Sequence, residues 1–243
     1  MILAHFAAFW YFQIGLGHKM KGRKAMTEKG KRDLKFGAAW IAVFALWTAL
    51  IQSVDVRPVG QNGTNIGFAA FNVWFHQFTG AHMAIYAVTD WLGLVPLSIC
   101  IGFGIAGLIQ WVKRRSLKEV DTDILLLGIH YVLVVFAYLI FEEIPINYRP
   151  IPIEGIMEAS YPSSTTLLVL SVMPTLKFQV DRRAQHPRLR KMTSAFVVLF
   201  SLFMVAGRLV SGVHWFTDIA GAVFLSAGLF MTYRGAVILT DKG

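Results

Sequence analysis

The chain has 243 residues, of which 56% are hydrophobic and only 15% are charged. Several apolar runs reach about 18 residues, the length that crosses a bilayer, and the alternating pattern of a transmembrane barrel does not occur. The single cysteine, Cys100, lies in an apolar run, which excludes an intrachain disulfide and a cysteine-based metal site. We therefore predict an all-α polytopic membrane protein.

The first 35 residues form a region that we expect outside the helical bundle. Residues 1–17 are apolar and aromatic but short for a span, and they lack the basic start and the cleavage site of a signal peptide. They are typical of an interfacial helix or of an additional short span. Residues 18–35 carry eight Lys or Arg residues and indicate a cytoplasmic segment beside anionic headgroups.

Six transmembrane helices are predicted within residues 36–236, and residues 237–243 form a cytoplasmic tail. The expected spans are Phe36–Val54, Ala84–Val112, Ile124–Phe141, Ser163–Val180, Met192–Val210 and His214–Tyr233. Pro96 is expected to kink the second span, because proline removes a helical hydrogen bond. Asp90, near the outer end of that span, is expected to act as an N-cap or to lie at the interface.

Aromatic side chains recur at helical spacing between the first two spans. They are Phe71, Trp74, Phe75 and Phe78. This pattern predicts an amphipathic helix in the plane of the membrane interface.

Basic residues indicate the orientation of the bundle. Residues 18–35, 113–118 and 181–191 hold 17 of the 23 Lys and Arg residues. The positive-inside rule places these segments in the cytoplasm, so the other loops face the outside or the periplasm of a plasma membrane. This placement accounts for the net charge of +9 and removes the case for nucleic-acid binding.

Three ionisable residues stand out between the last two apolar runs. Such groups are costly at membrane depth and are usually functional. His214 and Asp218 are four residues apart, so on a helix they would share a face, and the carboxylate would leave one imidazole nitrogen free as a nucleophile. Arg208 offers a planar fork for phosphate. The alternative is that all three side chains anchor helix ends at the interface.

Two other outer loops carry groups that suit a phosphate. One contains Arg149, and the other contains Ser163, Ser164 and Thr165 at a predicted helix start. Free N–H groups at a helix start bind anions. We therefore expect a phosphate site at the outer membrane–water interface. No carboxylate cluster of metal-binding form accompanies these residues, and no metal or cofactor is expected.

These motifs resemble those of the type 2 phosphatidic acid phosphatase superfamily, membrane lipid phosphatases related to soluble acid phosphatases and vanadium haloperoxidases. The family pattern reads Lys-x6-Arg-Pro, then Pro-Ser-Gly-His, then Ser-Arg-x5-His-x3-Asp, and the resemblance covers roughly residues 36–233. The matching positions are Arg149 and Pro150, Pro162 and Ser163, and Arg208, His214 and Asp218. The departures are Glu142 for Lys, Ser164 for Gly, Thr165 for His and Gly207 for Ser.

The resemblance implies a role for each matching residue. His214 would form a phosphohistidine and Asp218 would orient it. The phosphate would be bound by Arg149, Arg208, Ser163 and the amide of Ser164. Thr165 stands where the family has its proton donor, and three alternatives remain for it. A carboxyl of Glu142, Glu143 or Glu158 replaces the donor, Thr165 only hydrogen-bonds the phosphate, or the substrate needs little acid assistance.

The last alternative favours a lipid diphosphate such as undecaprenyl diphosphate over phosphatidic acid. The group that leaves a lipid diphosphate is a phosphate, whose second pKa is about 6. The group that leaves phosphatidic acid is a lipid alkoxide, which resembles hydroxide, and the conjugate acid of hydroxide has a pKa of about 15.7. The partners expected from the sequence are a phospholipid or polyprenyl phosphate substrate and the bilayer, and the oligomeric state is open. The competing hypotheses are a phosphotransferase of the same fold and an inactive relative that binds phospholipid.

Overall fold

The computed structural model describes residues 23–241. The segment predicted to be interfacial at residues 1–17 lies outside the described residues, as do residues 18–22 and the last two residues. Within the described range the secondary structure is helical, with isolated bridges and no strand. This confirms the predicted all-α class.

Eight α-helices run through the described range. They are α1 (Arg23–Ile51), α2 (Ala69–Thr79), α3 (Met83–Leu92), α4 (Leu94–Arg114), α5 (Thr122–Glu143), α6 (Ser164–Arg183), α7 (Pro187–Val210) and α8 (Phe216–Thr240). Two short 3-10 turns occupy Gln61–Gly63 and Leu117–Glu119.

Five candidate spans are long and apolar enough to cross a membrane: α1 from Ala25, α3 and α4 together, α5, α7 and α8. The predicted span Ser163–Val180 is not among them. It corresponds to α6, which packs against α4, α5, α7 and α8. Its polar side chains Thr166, Ser171, Thr175 and Gln179 are buried. Helix α6 therefore faces protein rather than lipid, and its polar side chains are accommodated because neighbouring helices shield them from the lipid.

The second span is interrupted in the turn that precedes Pro96, the proline that we expected to kink it. The break falls at Gly93, three residues before Pro96, where the Gly93 amide donates to the carbonyls of Thr89 and Asp90. Proline lacks the N–H that would bond four residues back, so the helical ladder is weakened over this turn.

Close contact between α1 and α8 fixes the position of the last helix. A Cβ atom on Gly37 would lie 2.4 Å from Oγ1 of Thr232, and one on Gly228 would lie 2.7 Å from Cγ1 of Ile41. Small residues allow such close approach between membrane helices. The buried pair of Asp33 and Arg234, 2.8 Å apart, joins the same helices.

The predicted amphipathic segment is helix α2. Trp74 and Phe78 are 57% and 77% exposed on one face. On the opposite face Asn72 is buried and donates to Oγ1 of Thr217 at the start of α8, at 3.0 Å. The helix is thus attached to the loop that carries His214, and its place in the membrane interface stays a prediction.

The loops that precede α3, α6 and α8 meet at one end of the bundle. The His82 amide donates to the Ser211 carbonyl at 2.9 Å, and the Ser163 amide donates to the Asp218 carbonyl at 3.2 Å. Gly212 has a φ of +71°, and a Cβ there would lie 2.1 Å from the Gly80 carbonyl oxygen. Ion pairs occupy the other end, including Arg114–Asp121, Arg183–Asp123, Arg182–Asp241 and Arg190–Asp181.

Candidate active site

His214 lies in the loop between α7 and α8. Because α8 begins at Phe216 with Trp215 as its N-cap, the prediction that His214 and Asp218 share a helical face is wrong. The loop nevertheless brings Nδ1 of His214 to 3.8 Å from Oδ2 of Asp218. Both residues are buried, with exposures of 4% and 0%.

Two donors hold the carboxylate of Asp218. Nδ2 of Asn147 donates to Oδ1 and the amide of Trp215 donates to Oδ2, both at 2.9 Å. The second bond follows from the position of Asp218 in the first turn of α8, where a carboxylate reaches back to the N-cap amide. The carboxylate is therefore fixed before any substrate binds.

Arg208, at the end of α7, is 1% exposed and lies against the other side of the imidazole. Its Nη2 is 3.2 Å from Nε2 of His214, and its Nη1 is 3.5 Å from Oγ1 of Thr89. A guanidinium has only donors, so Nε2 must be the acceptor and the ring proton is assigned to Nδ1, facing Asp218. The free lone pair on Nε2 of His214 thus points toward Arg208.

The surroundings of His214 keep its ring neutral. Burial lowers the pKa of His214 well below its usual range, and the positive charges of Arg208 and Arg149 lower it further. A neutral imidazole with a free Nε2 lone pair is the form that attacks an electrophile.

Arg149 forms the second cationic group of the site and is 9% exposed. Its Nε is 3.0 Å from Oε2 of Glu158. The ring of Tyr86 lies beside both guanidinium groups, with its centroid 5.9 Å from Cζ of Arg149 and 5.0 Å from Cζ of Arg208. Among the described residues, Nη1 of Arg149 and Nε of Arg208 are buried without a hydrogen-bond partner. Such unpaired donors suit a phosphate.

Of the three residues at the start of α6 that were predicted to bind phosphate, only Ser164 lines the cavity. The hydroxyl of Ser163 donates to Oγ1 of Thr166 at 3.0 Å, and its amide is bonded to the Asp218 carbonyl. Ser164 lines the cavity beside His214, whereas Thr165 does not. The methyl group of Thr165 faces the turn at Gly93, because its Cγ2 lies 3.8 Å from the position that a Cβ atom on Gly93 would occupy.

A polar cavity of about 140 Å³ lies beside His214. It is smaller than the roughly 300 Å³ of ordinary ligand pockets and suits a headgroup rather than a whole lipid. Its charged lining consists of Arg149, Glu142 and Glu158, so two of the three candidate carboxyls are present and Glu143 is not. Glu158 is paired with Arg149, which leaves the exposed carboxyl of Glu142 as the candidate proton donor.

The structure adds residues that the sequence analysis did not assign to the site. Asp90 lies in the last turn of α3 and is not an N-cap; its Oδ1 is 3.8 Å from Nη1 of Arg208. Tyr86, Thr89 and Asn147 also contact site residues. The sequence could have indicated Asp90 as a site residue, because it is an aspartate inside a long apolar run. Nothing in the sequence around Tyr86, Thr89 or Asn147 indicates that they contact the site.

No group of three or more His, Cys, Asp or Glu side chains with metal-binding geometry occurs within residues 23–241. The cavity is lined by one arginine, Arg149, and by the hydroxyl side chains of Ser160 and Ser164, which are hydrogen-bond donors that suit an anion, together with the carboxyls of Glu142 and Glu158.

Comparison with known proteins identifies the family that this chain resembles and the fold that it shares. Residues 123–237 match the model of the PAP2 superfamily. The chain is similar to the crystal structure of a transmembrane PAP2 type phosphatidylglycerolphosphate phosphatase from Bacillus subtilis, with 17% identity, a TM-score of 0.54, and coverage of 85% of this chain and 98% of that chain. No curated protein matches this chain. The resemblance seen in the motifs is thus confirmed, and the bundle is a multi-pass membrane fold of the PAP2 type.

Proposed function

We propose that the protein hydrolyses lipid phosphates through a phosphohistidine at His214, a proposal supported by the match of residues 123–237 to the model of the PAP2 superfamily. The observation that carries this proposal is the position of the His214 ring between two groups. Arg208 is 3.2 Å from Nε2, and the fixed carboxylate of Asp218 is 3.8 Å from Nδ1. In this proposal the neutral imidazole acts as the nucleophile and the adjacent guanidinium binds the phosphate.

The reaction has two displacement steps. In the first, Nε2 of His214 attacks phosphorus, the bond to the leaving oxygen breaks, and the leaving group takes the electron pair. Arg149 and Arg208 bind the equatorial oxygens, where charge is stabilised. Asp218 stabilises the charged ring. In the second step water attacks phosphorus and gives up a proton to solvent, the P–N bond breaks, and its electron pair returns to Nε2, which releases phosphate and neutral His214.

The leaving group follows from the residue at position 165. Thr165 cannot donate a proton near neutrality, and acid assistance is typically worth about 10²–10⁴ in rate. A lipid diphosphate such as undecaprenyl diphosphate needs less of this assistance than phosphatidic acid, because it expels a phosphate. Where acid assistance is needed, we assign it to Glu142, the carboxyl in the cavity that does not form an ion pair with Arg149.

The site faces outward in this proposal. The ion-paired end of the bundle carries the basic segments that the positive-inside rule assigns to the cytoplasm. The loops that contain Arg149 and His214 lie at the opposite end. The substrate would therefore be a lipid of the outer leaflet.

The test is phosphate release by the full chain in detergent, with EDTA and no added metal. Wild type is compared with His214→Ala on undecaprenyl diphosphate, phosphatidic acid and phosphatidylglycerol phosphate. His186→Ala, an exposed histidine at the other end of the bundle, is the matched control. We expect His214→Ala alone to lose activity, and undecaprenyl diphosphate to be the best substrate. Activity retained by His214→Ala, or absent from wild type on every lipid, would contradict the proposal.

A further inference from the structure

Asn147 links the loop that carries Arg149 to the carboxylate of Asp218. Its side chain is buried, and its Nδ2 donates to Oδ1 of Asp218 at 2.9 Å. Only the amide nitrogen of Asn147 can face an ionised carboxylate, because the amide oxygen has no proton to donate. The backbone of the same residue is also held, since its carbonyl accepts a hydrogen bond from the Ser160 amide at 2.9 Å.

Residues 147–149 join this carboxylate to the cationic part of the site. The carbonyl of Tyr148 accepts from Nε1 of Trp215 at 2.8 Å, and Trp215 directly follows His214 in the chain. The next residue, Arg149, lines the polar cavity. One short segment therefore ties the cationic loop to the loop that carries the imidazole.

We propose that Asn147 is a positioning residue for the reaction, whose amide N–H keeps Asp218 ionised and turned toward His214. The inference rests on the proposed function, because it explains how the carboxylate of that mechanism is maintained. A carboxylate buried away from water is costly unless hydrogen bonds satisfy it. Asp218 must stay ionised while it stabilises the positive ring of His214 that forms during attack on phosphorus.

The hydrogen bond to Oδ1 of Asp218 is the one that a substitution can remove. The bond to Oδ2 comes from the backbone amide of Trp215, so it does not depend on the side chain at that position. The bond to Oδ1 comes from a side chain 71 residues away. A change at Asn147 therefore removes a donor from the carboxylate while the turn that begins α8 stays intact.

Asn147→Asp has the shape of asparagine and tests the donor directly. Two carboxyls at this distance cannot both be ionised, so the pair holds one shared proton at moderate pH. With that proton, the introduced carboxyl can donate to Oδ1 of Asp218 as the asparagine does. When the pH rises and the proton is lost, the two carboxylates repel each other and the donor is gone. The variant should therefore lose activity as the pH increases.

Other ionisable groups surround the pair of Asp218 and His214, and all of them are the same in wild type and in the variants. They are Arg149, Arg208, Tyr161, Glu142 and Glu158. Burial raises the pKa of Tyr161 above its ordinary value, so this phenol stays neutral. A difference between the pH profiles of wild type and Asn147→Asp thus reports the substituted position.

The experiment measures kcat, KM and kcat/KM on undecaprenyl diphosphate between about pH 5 and pH 9, with the full chain in detergent. Asn147→Leu should lower kcat by about 10- to 100-fold with little change in KM, the size expected when a hydrogen bond to a charged group is lost. The ratio of Asn147→Asp to wild-type kcat/KM should be highest at the acid end and should fall as the pH rises.

Gln61→Leu is the matched control. It removes another side-chain hydrogen bond to the same loop, the one of 2.8 Å from Nε2 of Gln61 to the Arg149 carbonyl, without touching Asp218. This variant should keep the wild-type pH profile. A pH profile of Gln61→Leu that changes in the same way as that of Asn147→Asp would show a general effect of loosening the loop, and it would overturn the inference.

A kcat of Asn147→Leu close to that of wild type, or a profile of Asn147→Asp parallel to that of wild type, would also overturn the inference. If Asn147→Leu does not fold, Asn147→Asp decides alone, because activity must return when the same preparation is brought back to lower pH. Failure of the proposed function is separate, since wild type would then hydrolyse no lipid. An active wild type with unaffected Asn147 variants would remove only the role of Asn147.

Discussion

Nη2 of Arg208 lies 3.2 Å from Nε2 of His214. The contact assigns the ring proton to Nδ1, because a guanidinium cannot accept a hydrogen bond. It also places the nitrogen that would attack phosphorus next to a group that binds phosphate oxygens. The proposed nucleophile and the proposed anion-binding group are therefore in contact without substrate, and a substrate phosphate would replace this contact.

Asp218→Asn should lower kcat by about 10⁴, the size of effect seen when a carboxylate that fixes a catalytic histidine becomes an amide. Asparagine has the same shape but can donate to Nδ1 and favour the wrong tautomer, whereas KM should change little. Steady-state kinetics and trapping of the phosphohistidine measure this effect. The control is Glu28→Gln at the opposite end of the bundle, and a loss of less than tenfold in Asp218→Asn would contradict the assigned role.

The pH dependence of kcat/KM should report the lowered pKa of His214. Only the neutral ring attacks, so the rate falls when pH drops below that pKa, and the acid limb of wild type should lie below the ordinary histidine value of about 6.5. Arg149→Gln removes one positive charge that lowers the pKa, so its acid limb should move to higher pH. Arg149→Lys keeps the positive charge, so its acid limb should stay at the pH of the wild-type limb. A wild-type limb at or above pH 6.5 on the same substrate would exclude this account.

The sequence predicted those parts of the site that depend on local spacing. Arg208, His214 and Asp218 lie within eleven residues, so their proximity could be predicted even though the helical geometry assumed for two of them was wrong. Asn147 and Thr89 reach the site from 71 and 119 residues away. Nothing local to these residues indicates such contacts, because they depend on how the helices pack. The polarity of α6 similarly becomes understandable only once its neighbours are known.

Thr165→His should widen the substrate range. Thr165 itself does not line the cavity, so this prediction requires that the longer imidazole extends into it. The imidazole would then supply the proton donor of the family pattern, and hydrolysis of phosphatidic acid should rise by up to about 10² relative to the diphosphate. The comparison of the two rates within each variant corrects for any loss of folded protein. Thr165→Val tests whether the threonine hydroxyl matters by itself. If Thr165→His hydrolyses the diphosphate but gains nothing on phosphatidic acid, the leaving-group argument is wrong.

Gly207→Ser, which restores the residue of the family pattern, should damage this protein. The added Cβ would lie 2.6 Å from Cγ2 of Thr89, so the Thr89 side chain or α3 itself must shift, and the contact between Thr89 and Arg208 is disturbed. Overpacking of this kind typically costs about 1–3 kcal/mol. Thr89→Ser removes only the clashing methyl group and keeps the hydroxyl, so it should be nearly neutral alone.

The double variant should therefore recover both stability and activity, with a coupling energy of about 0.5–3 kcal/mol between the two positions. Thermal unfolding in detergent and kcat/KM on the diphosphate measure the recovery. A double variant as damaged as Gly207→Ser alone would show that the methyl of Thr89 is not the cause. Recovery of stability without activity would instead show that the packing was relieved while Arg208 stayed displaced from His214.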